Sequence, residues 1–357
     1  MNTTYATHAS KKFNKWLHGI LERIAQDIKK ALGNNLVALL LGGGYGRGEG
    51  GFVTIDGQEK PYNDIDFSLV VKNKCHLSRE SLSEISKKYE EEIKIHVDFS
   101  RPLTIYDIKH WPQWLMWYDL LNGHIVLAGS PDVLRIHAPE RLKEPLPPIE
   151  ATRLLLNRGT GILWAMRVVR GVEPMVDADF VRRNYYKCIL SLGDALMILY
   201  HCYESQYRGR YGRFIRLVEK TPDVKDFKLE SLYKSSLDFK FRPDKLPYTP
   251  PRKAEIKKIA QLWGSVFLHV ELKRTGNNFS SLTEYTNWNG LREWEENRPD
   301  KWPRNIFRNM QTGKFSWKYP RENLFMTLPV LLGLTDTKVS RWEKESGRFL
   351  ALWNKFN

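Results

Sequence analysis

Apolar residues recur at three- and four-residue steps from Phe13 through Trp16, Leu17, Ile20, Leu21, Ile24 and Ile28 to Leu32. That spacing predicts an amphipathic helix, with Ser10 placed to cap its start and Gly33 its end. Leu36 to Leu41 then runs without a polar residue and stops at a glycine cluster, as a buried strand does. Residues 63–71 and 94–100 read as further strands, and in the second Ile95, Val97 and Phe99 alternate with Lys94, His96, Asp98 and Ser100. A charged surface helix is predicted over 81–92, another helix over 113–121 before Asn122-Gly123, and one more short strand over 125–128.

Pro139, Pro145, Pro147 and Pro148 suit an extended connector and no regular element. Beyond it the period becomes helical, over 150–169, 179–203, 251–273 and 338–356, interrupted by a poorly patterned Lys/Arg/Pro-rich stretch near 205–252. The expected fold class is α+β: a small mixed-sheet domain at 1–138, a connector at 139–148 and a mainly helical domain at 149–357. There is no internal repeat and no low-complexity tract.

Composition narrows the class. A chain of 357 residues with 42% apolar and 27% charged content holds about two domains with real cores, which excludes disordered and fibrous proteins. The net charge of +15 is one-sided, because residues 1–150 carry 19 basic and 19 acidic side chains and the whole surplus follows them. Cys75, Cys188 and Cys202 have neither metal-ligand spacing nor the even count of a disulfide scaffold, so a reducing compartment, the cytoplasm, is expected. The N-terminal stretch has no apolar signal region, and the longest aliphatic run falls far short of the roughly 20 residues of a membrane span, so no membrane partner is expected. Oligomeric state is left open.

The densest chemical signal is Gly42-Gly43-Gly44-Tyr45-Gly46-Arg47-Gly48-Glu49-Gly50-Gly51, directly after a buried strand. Glycines let a backbone turn sharply and bring its N–H groups to an anion, although a plain glycine-rich loop has the same composition. Gly46-x-Gly48-x-x-Gly51 matches the dinucleotide fingerprint in letters, but residues 52–57 continue as a hairpin and not as a helix, and no Walker A lysine follows. In Asn63-Asp64-Ile65-Asp66-Phe67, two aspartates lie two apart on a strand, so both leave one face. Asp98 adds a third carboxylate on the polar face of the next strand. Three such groups suit two Mg²⁺ ions and phosphoryl-group chemistry. His96, two before Asp98, reads as its hydrogen-bonded neighbour.

The combined pattern resembles the nucleotidyltransferase superfamily that shares the DNA polymerase β palm. Its strand ending in Gly-Ser, its x-Ala-Arg-Gly-Glu continuation, its Asp-h-Asp pair and its third acid correspond here to residues 43–49, Asp64-Ile65-Asp66 and Asp98, within about residues 30–130. Two departures stand out: Gly44 replaces the serine, and residues 50–61 form an inserted hairpin beside the site. The resemblance implies transfer of a nucleoside monophosphate from an NTP such as ATP to an acceptor hydroxyl, with release of pyrophosphate. Asp64, Asp66 and Asp98 would be catalytic and hold two Mg²⁺, or Mn²⁺, with Asp98 nearer the acceptor. Gly43, Gly44 and Tyr45 would lie at the nucleotide, and Arg47 either contacts phosphate or pairs with Glu49 or Asp64. In the helical half Lys187, with Asp194 two turns on, and Asn157 and Arg158 would complete the nucleotide site.

The acceptor expected from charge is RNA, such as a tRNA 3′ end. Residues 205–258 carry 15 basic and 7 acidic side chains, with Arg208, Arg210, Arg213 and Arg216 interleaved with Tyr207, Tyr211 and Phe214. Transfer to a protein side chain or a small molecule, and a catalytically idle nucleic-acid-binding or regulatory module, are the alternatives. The tryptophans Trp111, Trp114, Trp117, Trp288, Trp294, Trp302 and Trp317 read mainly as packing residues.

Overall fold

A computed structural model describes residues 3–74, 79–175, 178–313 and 315–356, so Cys75 lies outside the described residues. The chain is α+β, with a small mixed sheet and a helical remainder. It divides into two compact units: Met1–Leu146 with Cys202–Arg213 and Leu237–Pro247, and Pro147–His201 with Phe214–Ser236 and Tyr248–Asn357. This differs from a single division at the prolines, because two later segments return to the first unit. The charge divides accordingly, with 25 basic and 21 acidic side chains in the first unit and a net +11 in the second.

In the first unit, α1 (Lys11–Leu32) starts where the Ser10 hydroxyl accepts the Phe13 N–H, and it buries Leu17, Ile20, Leu21, Ile24 and Ile28. It is followed by β1 (Leu36–Leu41), a short helical turn α2 (Gly43–Gly46), and the hairpin β2 (Phe52–Ile55) and β3 (Gln58–Pro61). Next come β4 (Asp64–Val71), α3 (Arg79–Ile93), β5 (His96–Phe99), α4 (Ile105–Lys109), α5 (Leu115–Asn122), β6 (Ile125–Gly129) and α6 (Val133–His137).

The four-stranded sheet has the order β5-β4-β1-β6. β1 is antiparallel to both neighbours, whereas β5 runs parallel to β4 because α3 carries the chain back across the sheet. One sheet face packs Leu39, Leu41, Ile65, Phe67 and Leu69 against α1 and α3. The other packs Ala38, Leu40 and Val70 with Leu103, Ile108, Trp111 and Leu134. Two covered faces explain why β1 lacks polar residues. Trp111 and Trp117 stack at 4.3 Å in this second core, while Trp114 is exposed.

The 50–61 insertion is a true hairpin, turned by Asp56 and Gly57 at φ 50° and 73°. Its Glu59 carboxylate accepts from the Ser10 N–H, and Thr54 N–H donates to Asp244 at 3.1 Å.

The second unit contains α7 (Ile149–Val169), α8 (Ala178–Leu199), α9 (Arg210–Lys220), α10 (Pro222–Lys225), α11 (Glu230–Phe241), α12 (Lys253–Thr275), α13 (Leu282–Asn287), α14 (Trp302–Met310), α15 (Glu322–Leu331) and α16 (Trp342–Phe356), with the start of α9 and the end of α11 counted in the first unit. The stretch that lacked a clear period thus holds three helices. Gly159 lets the Trp263 indole pack close on α7, where its N–H donates to Leu155 O at 2.8 Å. α8 stops at Leu199, short of 203, and His201 follows in a left-handed conformation at φ 55°. Among the described residues no helix is long and apolar enough to cross a membrane.

Candidate active site

β4 opens with the acidic pair. Asp64, Asp66 and Ser68 share one face, and Ile65, Phe67 and Leu69 enter the core on the other. The parallel register sets Asp66 level with Asp98 and Asp64 level with His96, so all three expected carboxylates come from two adjacent strands. Asp66 is half-buried and Asp98 exposed. Burial, followed by the Asp64 charge, pushes the Asp66 carboxyl up to about 6; Asp98 adds to the rise, and Lys240 and Arg47 oppose it.

Among the described residues no group of three or more His, Cys, Asp or Glu side chains is placed to hold a metal ion. Asp66 carries a carboxylate whose ionisation its own neighbours disfavour, and a positive charge between the strands would relieve that repulsion. His96 pairs with Glu90, whose carboxylate also accepts the Val97 N–H at 3.0 Å.

The glycine turn is fastened to this strand. Gly42 N–H donates to Asp66 O at 2.8 Å, and Gly43 follows at φ 58°, where L side chains are strained. A Cβ on Gly43 would stand 2.1 Å from Asp66 Oδ2, so the carboxylate rests directly against the bare Cα. Gly44 has no such φ; a Cβ there would lie 3.3 Å from Glu49 O and 3.4 Å from Lys240 Nζ.

Tyr45 and Arg47, the other turn residues expected at a nucleotide, are interior. Tyr45 is 2% exposed, its hydroxyl donating to Gly51 O at 2.6 Å and accepting from Tyr62 N–H at 3.1 Å, and burial raises its pKa. The Arg47 side chain is 7% exposed, with Nε 3.8 Å from Glu49 Oε2 and Cζ 5.2 Å from the Tyr207 ring centre. Of the roles open to Arg47, pairing with Glu49 is the one the geometry contains. Glu49 in turn accepts the N–H groups of Tyr207 at 2.8 Å and Arg208 at 2.7 Å, binding the returning 202–213 segment to the turn.

The Arg/aromatic stretch expected to face RNA divides between interior and surface. Arg210 is 1% exposed, donates to Glu204 O and Ser205 O at 2.7 and 2.6 Å, and sits against the Tyr203 and Tyr207 rings. Phe214 is buried against Tyr233, and Arg213 pairs with Glu204. Arg208 and Arg216 are exposed, and Arg208 donates to Thr7 Oγ1 at 2.8 Å. A guanidinium that satisfies main-chain carbonyls in the interior holds the fold and offers nothing to a backbone phosphate.

Asn157 and Arg158 lie on α7 and Lys187 and Asp194 on α8, all within the second unit. Asp194 is buried and accepts from the Tyr233 hydroxyl at 2.6 Å; Lys187 is half-buried, and Asn157 is exposed. One residue at the acid pair went unseen in the sequence: Lys240, near the end of α11, whose charge acts on Asp66. Nothing local marks it, because it reaches the turn only when 237–247 folds back onto the first unit. No protein-family model matches this chain, and no curated protein sequence matches it.

Proposed function

We propose that this chain is a divalent-cation-dependent nucleotidyltransferase that moves a nucleoside monophosphate from an NTP to an acceptor hydroxyl. The observation that carries the reading is the in-register placement of Asp66 and Asp98, with Asp64 beside them, against a turn that leaves no room for a side chain at Gly43. Asp64 and Asp66 would hold both ions, and Asp98 the one nearer the acceptor. When bound, Mg²⁺ or Mn²⁺ supplies neutralising charge at the phosphates and makes a nearby hydroxyl more acidic. The acceptor oxygen attacks the α-phosphorus, the bond to the α–β bridging oxygen breaks, and pyrophosphate leaves with that oxygen. The acceptor's proton passes to the Asp98 carboxylate, which faces solvent and can release it. Main-chain N–H groups of Gly43 and Gly44 serve the phosphates.

A polyanionic acceptor, RNA above all, is favoured by the net +11 of the second unit. The test is incubation with each α-labelled NTP, Mg²⁺ or Mn²⁺, and total RNA or cell lysate, followed by mass spectrometry of the product. Labelled RNA that disappears in Asp64→Ala and Asp66→Ala is the expected result. Label that survives RNase and resides on protein moves the acceptor to a side chain. No label with any nucleotide in either metal rejects the enzyme.

A further inference from the structure

We infer that Lys240 is the phosphate-binding cation of this site, brought from a distant segment to the side of Gly44, with Nζ 3.4 Å from where a Cβ on that glycine would stand. The inference rests on the NTP reading above and names the residue that would grip the polyphosphate.

Two cations act on Asp66, Lys240 and Arg47. Arg47 lies in the interior over the Tyr207 ring, its Nε 3.8 Å from Glu49 Oε2 and, among the described residues, without a hydrogen-bond partner. Lys240 is differently placed. Its side chain is half-buried, yet among the described residues its ammonium makes no hydrogen bond and no ion pair. An ammonium whose three donors no protein group takes suits an anion with several acceptor oxygens. Its surroundings hold it in position. Nζ lies 5.6 Å from the centre of the Tyr207 ring, which Glu49 fixes through the Tyr207 N–H. Its main chain is seated on the loop, since a Cβ on Gly51 would stand 2.7 Å from Lys240 O. On either side, Phe239 packs edge-on against Tyr62, and Arg242 covers the Phe52 ring.

The backbone is therefore anchored while the charged tip stays open beside the glycine turn and the acids. Three carboxylates repel a polyphosphate as well as each other, so an anion entering here needs a cation beside them. Lys240 provides it. Nζ lies 3.4 Å from where a Cβ on Gly44 would stand, at contact distance from the turn.

The experiment measures equilibrium binding of inorganic tripolyphosphate and of each NTP, in Mg²⁺, to the full chain and to Lys240→Met, Lys240→Arg, Asp66→Ala and the double variant Gly44→Ser/Lys240→Met, with circular dichroism confirming the fold of each. The expected result is a loss of tenfold or more in tripolyphosphate affinity for Lys240→Met, a change under threefold for Lys240→Arg, and partial recovery in the double variant. In the transfer assay Lys240→Met should raise KM for the NTP more than it lowers kcat. If Lys240→Met binds tripolyphosphate like the parent while Asp66→Ala abolishes transfer, Lys240 is wrong and the nucleotidyltransferase reading survives. If the parent binds neither tripolyphosphate nor any NTP, both fall. Should Lys240→Met unfold, equal binding by Lys240→Arg and a Lys240→Gln variant overturns the inference by itself.

Discussion

Gly43→Ala probes the closest approach in the site. At φ 58° an L-residue costs about 1–2 kcal/mol relative to glycine. The new methyl would also start 2.1 Å from Asp66 Oδ2, well inside the roughly 3.5 Å at which non-bonded heavy atoms rest. Either the turn or the carboxylate must shift by more than about 1 Å, and the carboxylate is the softer of the two. The expected outcome is a stability loss of about 1–2 kcal/mol in urea, followed by tryptophan fluorescence, together with at least a tenfold loss of Mg²⁺-dependent NTP binding by calorimetry. Gly44→Ala is the control. Its φ is ordinary and its nearest would-be contacts are 3.3 to 3.5 Å away, so its stability should change by less than about 1 kcal/mol. If Gly43→Ala matched the parent in both assays, or if Gly44→Ala proved the more damaging, the packed-carboxylate account would be refuted.

The Asp66 carboxyl is raised from its usual 3.8 to about 6, so the folded chain holds a proton that the unfolded chain releases between those values. Its contribution to the metal-free fold is present below pH 4 and lost as pH rises through 6, whereas Mg²⁺ affinity climbs over the same window; Asp66→Asn should flatten both profiles, and an unchanged pH dependence in that variant counts against the assignment. Removing the Glu49 carboxylate as Glu49→Ala leaves two part-buried N–H groups without their acceptor and should cost about 1–3 kcal/mol in thermal or urea unfolding, with Glu49→Gln costing less; equal midpoints for Glu49→Ala and the parent would contradict the anchoring role. Arg210→Ala should lower stability by about 3 kcal/mol yet leave the salt slope of any RNA affinity unchanged, whereas Arg216→Ala should reduce that slope by about 1; the opposite pattern would return Arg210 to the surface. Tyr233→Phe removes the 2.6 Å bond to buried Asp194 and should cost about 1–2 kcal/mol, read from the unfolding midpoint.

Local pattern carries a long way in this chain. The helical stripe of α1 and its Ser10 cap, the wholly apolar β1, the hairpin at 52–61 and the alternation that aims Asp64 and Asp66 to one side are all set by side-chain periods of 3.6 and 2 and by turn chemistry within a few residues. The stretch near 205–252 defeated that reading because its helices are short, rich in Lys and Arg, and shared between two compact units.

What the tertiary structure decided is which of these groups are solvated and which meet. The crossover through α3 makes β5 parallel to β4 and brings Asp98 level with Asp66. The return of 202–213 and 237–247 buries Arg210, seats Tyr207 on Glu49, encloses Arg47 and delivers Lys240 to the glycine turn. Periodicity reports how a segment divides its own faces. Desolvation and charge pairing depend on what covers those faces, and here the covering segments lie more than a hundred residues further along the chain.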